Sequence, residues 1–194
     1  MEKAKKYGKP PCLFKVNITE QEFIFLTRNF EHSGDWSQAI YLYFDSSSDQ
    51  DQARLFGRHL RLRVRLKYGN YSLELKNQVA GDRWELTQPI SSEEFRLIFQ
   101  GVLPAGEISQ RLAELNFSLP LKWIGTTQTT RKKVHFQDGV LVLDQTDCCN
   151  KAKTFYQVEF RSSADHLPGK VEKIKEKLNV FMRRYISKED EIWD

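Results

Sequence analysis

The segment from Arg61 to Lys67 carries four basic side chains at alternate positions, with leucine and valine between them. Successive side chains of an extended strand point to opposite faces, so all the basic side chains would lie on one face and all the aliphatic ones on the other. Like charges along one strand face repel one another unless water screens them or an anion lies among them. Basic residues recur on neighbouring segments, which favours an anion.

Charged and apolar residues alternate in the same way along several other segments. Two architectures fit this pattern. An antiparallel sandwich would expose its charged faces to water. A barrel with a polar interior would turn its charged faces inward and cover its apolar exterior with helices. Both provide an apolar sheet face for amphipathic helices, so the periodicity leaves the choice open. The charged residues at alternate positions are Arg61, Arg63, Arg65, Glu74, Lys76, Arg83, Glu85, Arg131, Lys133, Glu159 and Arg161.

The element signals predict an antiparallel β protein with several helices. Capping boxes begin helices after Thr19 and Ser91, and the first of these helices is expected to end near His32–Gly34. Apolar residues at helical spacing predict a further helix around 108–115 and a last one between Val171 and Tyr185. The predicted strands cover residues 13–18, 39–45, 59–67, 71–76, 83–90, 121–124, 129–136, 140–144 and 154–161.

Composition limits the class of protein. The chain has 194 residues, with 30 Lys and Arg against 26 Asp and Glu, and a formal net charge of +4. This charge is too small for a protein that coats nucleic acid, and no apolar run is long enough to span a bilayer. The basic start of the chain lacks the apolar centre of a signal peptide. We expect a single cytoplasmic domain over residues 1–194 that binds neither membrane nor nucleic acid; its oligomeric state is left open.

A set of short motifs, in order, resembles the CYTH superfamily of triphosphate tunnel proteins, which is named for class IV adenylate cyclase and thiamine triphosphatase. The resemblance covers residues of about 12 to 185 and is strongest to the small bacterial branch, in which the first strand leads into a helix start like that at Thr19. The motifs are Tyr43-Phe44-Asp45, Leu60-Arg61-Leu62-Arg63, Leu73-Glu74-Leu75-Lys76, Trp84-Glu85, Thr129-Thr130-Arg131, the segment from Gly139 to Asp144, and Tyr156-Gln157-Val158-Glu159.

The resemblance implies an eight-stranded antiparallel, tunnel-like barrel with a basic, polar interior and covering helices. It also implies that basic side chains bind the triphosphate, since Arg offers paired donors to phosphate oxygens and Lys a point charge. Carboxylates would hold Mg²⁺ or Mn²⁺, which activates water. Carried onto this sequence, the triphosphate-binding residues are Lys15, Arg61, Arg63, Lys76, Arg131 and Lys133, and the metal-binding residues are Glu85, Asp144 and Glu159.

The chain departs from the family at its signature carboxylates. The family motif Glu-x-Glu-x-Lys falls on residues 11–15, where only Lys15 is kept and Pro11 and Leu13 replace the glutamates. A later Glu-x-Glu has become Gln157-Val158-Glu159. Pro and Leu side chains cannot ligate a cation, and Gln is a weaker, neutral donor, so we expect a weakened Mg²⁺ or Mn²⁺ site. Glu74, where the family has Thr, would either replace a lost ligand or pair with the arginines.

Three functions stay open at this point. The first is a protein that binds inorganic, nucleoside or thiamine triphosphate, or polyphosphate, with weak or absent metal-dependent hydrolysis. The second is an active metal-dependent triphosphatase that uses the remaining carboxylates. The third is a barrel that serves as a scaffold for a protein partner. A cyclase that makes cyclic AMP would need the same missing metal ligands.

Restoring the three carboxylates tests the expected loss of hydrolysis. The combined change Pro11→Glu, Leu13→Glu and Gln157→Glu should raise Mg²⁺- or Mn²⁺-dependent phosphate release from tripolyphosphate well above that of the parent, because a cation must bridge phosphate oxygens and lower the pKa of the attacking water. Phosphate release with and without each metal is the measurement. Strong metal-dependent release by the unchanged protein would contradict the expectation.

Overall fold

The computed structural model describes residues 12–46, 54–79, 82–117, 120–136 and 139–161; Pro11 and the last predicted helix, with Val171 and Tyr185, lie outside them. The described residues form strands and helices in the order β1 (Cys12–Ile18), α1 (Glu20–Asn29), β2 (Asp35–Ser46), β3 (Leu60–Lys67), β4 (Asn70–Asn77), β5 (Trp84–Ile90), α2 (Ser92–Phe99), α3 (Glu107–Glu114), β6 (Leu121–Phe136), β7 (Gly139–Cys148) and β8 (Lys153–Arg161). A short 3-10 turn, Phe56–Arg58, precedes β3.

The eight strands belong to one antiparallel sheet with the order β1-β8-β7-β6-β2-β3-β4-β5. The predicted fold class, an eight-stranded antiparallel sheet with covering helices, is confirmed. The prediction of two separate strands over 121–124 and 129–136 is wrong, because β6 is continuous over 16 residues. Its middle contains Thr126 and Thr127, whose β-branched side chains suit extended backbone, and the buried Gly125 does not interrupt the strand. Helix α1 ends at Asn29, a few residues before the predicted end.

The chain divides into two compact units. Of the described residues, the first unit comprises 12–37, 130–136, 139–146 and 154–161, and the second comprises 38–46, 54–79, 82–117, 120–129 and 147–153. Each unit has its own hydrophobic cluster among the described residues. That residues 1–194 form a single domain stays a prediction.

In the first unit, helix α1 covers an apolar sheet face. Its side chains Phe23 and Leu26 are buried in a cluster with Val16, Leu143 and Val158 from three strands. The helix begins with the predicted capping box, in which the Glu22 side chain accepts a hydrogen bond from the Thr19 N–H at 2.6 Å and Thr19 Oγ1 accepts one from the Glu22 N–H at 3.2 Å. This box satisfies backbone donors that the first turn of a helix leaves unpaired.

In the second unit, helices α2 and α3 cover the apolar face of β3 and β4. Ile98 of α2 and Ile108 of α3 lie in one buried cluster with Leu62, Val64 and Leu75. The opposite face of these strands is charged but is also buried: Arg61, Arg63 and Glu74 are 4%, 7% and 1% exposed. This burial does not fit a sandwich, in which the charged faces would be solvated. It fits strands whose apolar face is covered by helices and whose charged face is turned inward.

The turn between β3 and β4 sets which charged residues face each other. Lys67 pairs with Asn70, so Tyr68 and Gly69 form a two-residue loop, and both have positive φ (50° and 75°). Such loops match the twist of antiparallel strands, and Gly adopts the conformation at no steric cost. The resulting register places Arg63 directly opposite Glu74. A slip of one residue would move every charged side chain of one strand to the other face.

Leu75→Ala tests whether helices and sheet form a packed core in the second unit. Leu75 is 0% exposed, so the change should lower the free energy of unfolding by about 2–5 kcal/mol through lost burial and a residual cavity. The matched control Leu97→Ala, at a leucine of α2 that is 41% exposed, should change it by less than about 0.5 kcal/mol. Urea unfolding measures both, and equal losses would contradict a core at this face.

Candidate functional site

The charged face of the second unit is built by three adjacent strands. We use this name for Arg61, Arg63 and Arg65 of β3, Glu74 and Lys76 of β4, and Glu85 of β5. Register places Arg61 opposite Lys76, and Lys76 opposite Glu85 on the next strand. Four of these six side chains are basic, and two of the basic ones, Arg61 and Lys76, oppose each other directly. Like charges in directly opposed positions destabilise a sheet unless an anion offsets them.

Glu74 lies at the centre of the charged face and contacts three basic side chains. Its Oε2 accepts a hydrogen bond from Nε of Arg63 at 2.9 Å and lies 2.8 Å from Nη2 of the same side chain. Its Oε1 lies 3.1 Å from Nε of Arg65. Nζ of Lys76 is 4.0 Å from Glu74 Oε2 and 3.3 Å from Glu85 Oε1. A carboxylate of the neighbouring strand therefore offsets part of the repulsion between the stacked arginines.

These contacts keep Glu74 ionised. Burial would raise the pKa of its carboxyl group, because a low-polarity environment penalises the charged form. Arg63, Lys76 and Arg65 act against burial through their positive charges, and the hydrogen bond from Arg63 adds to them. The net effect is a pKa below the ordinary value of 4.5.

Two tyrosines of β2 hold the Arg63 guanidinium in place. Its central carbon lies 4.1 Å from the centre of the Tyr41 ring, and Nη1 lies 3.4 Å from the Tyr43 hydroxyl. Arginine over an aromatic face is a favourable cation–π contact. The sequence motifs included Tyr43 but gave it no role, and they did not include Tyr41. The two tyrosines alternate along β2 just as the arginines alternate along β3, which was a usable signal.

Arg61 is positioned by Phe56, which precedes β3, and by the first residue of β3. Its Nη1 donates to the carbonyl oxygens of Leu60 at 3.0 Å and Phe56 at 3.3 Å, and its guanidinium lies 3.8 Å from the Phe56 ring centre. Phe56 is held in turn by Asp45, whose carboxylate accepts hydrogen bonds from the N–H groups of Leu55 at 2.7 Å and Phe56 at 3.3 Å. The motif aspartate Asp45 thus has a positioning role that the sequence did not reveal.

In the first unit, two of the predicted phosphate-binding residues lie beside predicted metal ligands. Arg131 makes a bidentate ion pair with Asp144, with Nε to Oδ1 at 2.7 Å and Nη2 to Oδ2 at 2.6 Å. Lys15 lies directly opposite Glu159 in the β1–β8 ladder. Glu159 accepts a hydrogen bond from Nε of Arg161 and forms an ion pair with that side chain. Arginine and carboxylate are therefore paired here rather than segregated.

The two lysines that follow Arg131 differ in environment. Lys133, predicted to bind triphosphate, is exposed. Lys132 is almost fully buried, donates to the Phe30 carbonyl oxygen at 2.5 Å, and lies 5.2 Å from the Trp36 ring centre. Alternation places Lys133, and not Lys132, on the strand face of Arg131. The assignment of Lys133 to a ligand stays a prediction.

Gln157, which the motif resemblance aligns with a glutamate, forms an amide pair with Asn17. Its Nε2 donates to Asn17 Oδ1 at 2.6 Å, and the two residues are opposite each other in the β1–β8 ladder. Gln157 is buried, and its Oε1 has no hydrogen-bond partner among the described residues. A neutral amide pair therefore lies where the motif resemblance implies a carboxylate.

The predicted metal carboxylates each contact a basic side chain: Glu85 lies near Lys76, Asp144 pairs with Arg131 and Glu159 with Arg161. Within residues 12–46, 54–79, 82–117, 120–136 and 139–161, no three His, Cys, Asp or Glu side chains form a group that could hold a metal ion. The assignment of these carboxylates to a metal, and of both sets of basic residues to one triphosphate, stays a prediction.

Comparison with known proteins identifies the family. The CYTH domain family matches residues 29–190. The chain belongs to the CYTH domain family. The resemblance seen in the sequence motifs is therefore confirmed. A Bacillus subtilis (strain 168) relative named "Putative triphosphatase YjbK" is 28% identical over 155 residues, which are 79% of this chain and 77% of the relative.

Two solved structures share the fold of this CYTH protein. A "putative adenylate cyclase" from Bacillus halodurans superposes with a TM-score of 0.79 at 22% identity, over 93% of this chain and 96% of the other. A protein from Hippeastrum, described as a "putative adenylyl cyclase" that reveals a dominant triphosphatase activity, has a TM-score of 0.68 at 17% identity, over 85% and 86% of the two chains. At these identities the likeness shows the fold alone.

In the described part of the chain, none of the helices is both long and apolar enough to cross a membrane.

The Glu74 contacts predict a pH dependence of stability. Because the folded-state pKa is lowered, the stabilisation is present above about pH 4.5 and is lost as the pH falls through the lowered value. Glu74→Gln should lower the free energy of unfolding by about 3–5 kcal/mol at neutral pH, since it leaves buried arginine charge unpaired. The difference from the parent should stay constant down to about pH 5 and shrink below that.

Urea unfolding across this pH range measures the difference. The control Glu114→Gln, in an exposed pair with Arg111 on α3, should change stability by less than about 0.5 kcal/mol. A difference that already shrinks between about pH 7 and 6 would contradict the lowered pKa of Glu74.

Proposed function

We propose that this CYTH protein binds a triphosphate-containing anion at the charged face, with Arg61, Arg63 and Lys76 as its principal contacts. The observation that carries the proposal is the direct opposition of Arg61 and Lys76 in the β3–β4 ladder, beside the buried Arg63. Glu74 and Glu85 offset only part of the repulsion among these like charges, and the positive excess that remains favours an anionic ligand. Family membership and a relative named as a triphosphatase support the same ligand class.

The chemistry of the contacts suits a chain of phosphoryl groups. Guanidinium groups present paired N–H donors that match phosphate oxygens, and Lys76 adds a point charge. Burial of Arg61 and Arg63 reduces screening by water and strengthens attraction to a ligand. Tyr41 and Phe56 hold the two guanidinium groups in place, which lowers the entropy lost on binding. For the first unit, Lys15, Arg131 and Lys133 stay predicted triphosphate-binding residues.

We further propose that metal-dependent hydrolysis is weak or absent. Mg²⁺ or Mn²⁺, when bound, would neutralise phosphate oxygens and lower the pKa of a water. The donor set does not fit such an ion well, because Asp144 and Glu159 are paired with arginines and Gln157 offers a neutral amide. Binding is therefore assigned to the basic side chains, and no step is assigned to a metal.

The second candidate is an active metal-dependent triphosphatase, which the name of the Bacillus subtilis relative favours. Phosphate release from tripolyphosphate, nucleoside triphosphates and thiamine triphosphate, each with and without Mg²⁺ or Mn²⁺, separates the two. Binding without metal-stimulated release supports the binding function, and release that rises steeply with metal supports the triphosphatase.

Calorimetry with tripolyphosphate in the absence of metal tests the binding site. Arg63→Ala should weaken binding about tenfold or more, because a charge-assisted contact contributes about 1.5–3 kcal/mol. The affinity of the parent should fall as salt rises, since ions screen the attraction. The control Arg96→Ala, at an exposed arginine of α2, should leave the affinity within about twofold. Equal affinities of the parent and Arg63→Ala would overturn the site.

A further inference from the structure

The Glu74 carboxylate of the protein itself already lies among the arginines of the charged face. Glu74 is almost fully buried and holds the Nε–Nη2 edge of Arg63 with one oxygen and Nε of Arg65 with the other. The edge formed by Nε and Nη2 is one of the two edges through which arginine makes paired hydrogen bonds to a phosphate group. A phosphate ligand at this edge competes with Glu74 for the same donors.

We propose that Glu74 is a built-in competitor that sets a minimum ligand charge, so that the site takes chains of three or more phosphoryl groups and rejects orthophosphate and diphosphate. This inference rests on the proposed function and specifies its ligand class. A ligand that contacts Arg63 must either replace Glu74 at that edge or bind with the carboxylate close by. Both alternatives cost free energy, because the first leaves a buried carboxylate with fewer partners and the second opposes two negative charges.

The length of the ligand decides whether this cost is overcome. Alternate residues of a strand are about 6.6 Å apart, so the basic residues Arg61 to Arg65 extend over about 13 Å of β3. A single phosphate group at Arg63 gains little beyond the contact for which Glu74 competes. A longer chain also reaches Arg61 and Lys76, which lie opposite each other next to Arg63. Its additional contacts offset the cost that Glu74 imposes.

A carboxylate beside an arginine can also serve to orient it, in which case its removal would weaken binding. Arg63 has other supports for its orientation, namely the Tyr41 ring at 4.1 Å and the Tyr43 hydroxyl at 3.4 Å. Its position therefore does not depend on Glu74 alone. The effect of Glu74 on a ligand is then chiefly the effect of its charge.

The test is calorimetry of orthophosphate, diphosphate and tripolyphosphate against the parent and Glu74→Gln, without metal and at low salt. Glu74→Gln should bind tripolyphosphate about tenfold more tightly, in keeping with one charge-assisted contact, and should bind diphosphate measurably where the parent does not. Glu74→Thr serves as a second variant with the same expectation. Circular dichroism at the temperature of the titration establishes that each variant is folded.

Glu114→Gln is the matched control, because it changes the net charge of the same unit equally at a side chain that is 63% exposed. A gain in this control equal to that in Glu74→Gln would overturn the inference, since net charge alone would then explain it. If the parent binds tripolyphosphate and Glu74→Gln binds it equally or more weakly, the inference fails while the proposed function stands. If neither the parent nor any Glu74 variant binds it, the proposed function fails.

Discussion

The repulsion among basic side chains stacked on one strand face is the constraint on which the second unit depends. Arg61, Arg63 and Arg65 follow one another on β3, and two of them are almost fully buried. Such a row is stable only with negative charge nearby. Glu74 supplies that charge from the adjacent strand, with contacts to both Arg63 and Arg65. The polar face is thus organised before any ligand arrives, as an arrangement of fixed charges with a positive excess.

Burial of this face depends on what covers the other one. Helices α2 and α3 pack on the apolar side of β3 and β4, and α1 does the same for the strands of the first unit. With its apolar side occupied by helices, each strand turns its charged side away from them. The two-residue turn at Tyr68 and Gly69 then fixes which charges meet across β3 and β4. Helix packing therefore determines which face of each strand is charged, and the turn determines which charged residues lie opposite each other on that face.

Much of the fold could be predicted from the sequence, because period-two alternation and capping boxes are local signals. Whether the charged faces are solvated or turned inward could not be predicted, since both arrangements give the same alternation; the burial of Arg61, Arg63 and Glu74 excludes solvated charged faces in the second unit. For the site, basic residue types at alternate positions predicted the row formed by Arg61, Arg63 and Arg65. The ion pair of Arg131 with Asp144 and the positioning of Phe56 by Asp45 depend on residues 13 and 11 positions apart, which no local pattern reveals.

The hydrogen bonds of Asp45 bear on how far the connection between Ser46 and Leu55 can vary in length. Its carboxylate is hydrogen-bonded to the N–H groups of Ser46 and Leu55, so the two ends of the connection between them are joined at one point in the second unit. The free energy of closing a loop grows only with the logarithm of its length, by about 0.6 kcal/mol for each doubling. Insertions between residues 47 and 53 should therefore be tolerated without displacing Phe56 or Arg61. This makes the connection a practical place to insert a peptide epitope or a fluorescent reporter.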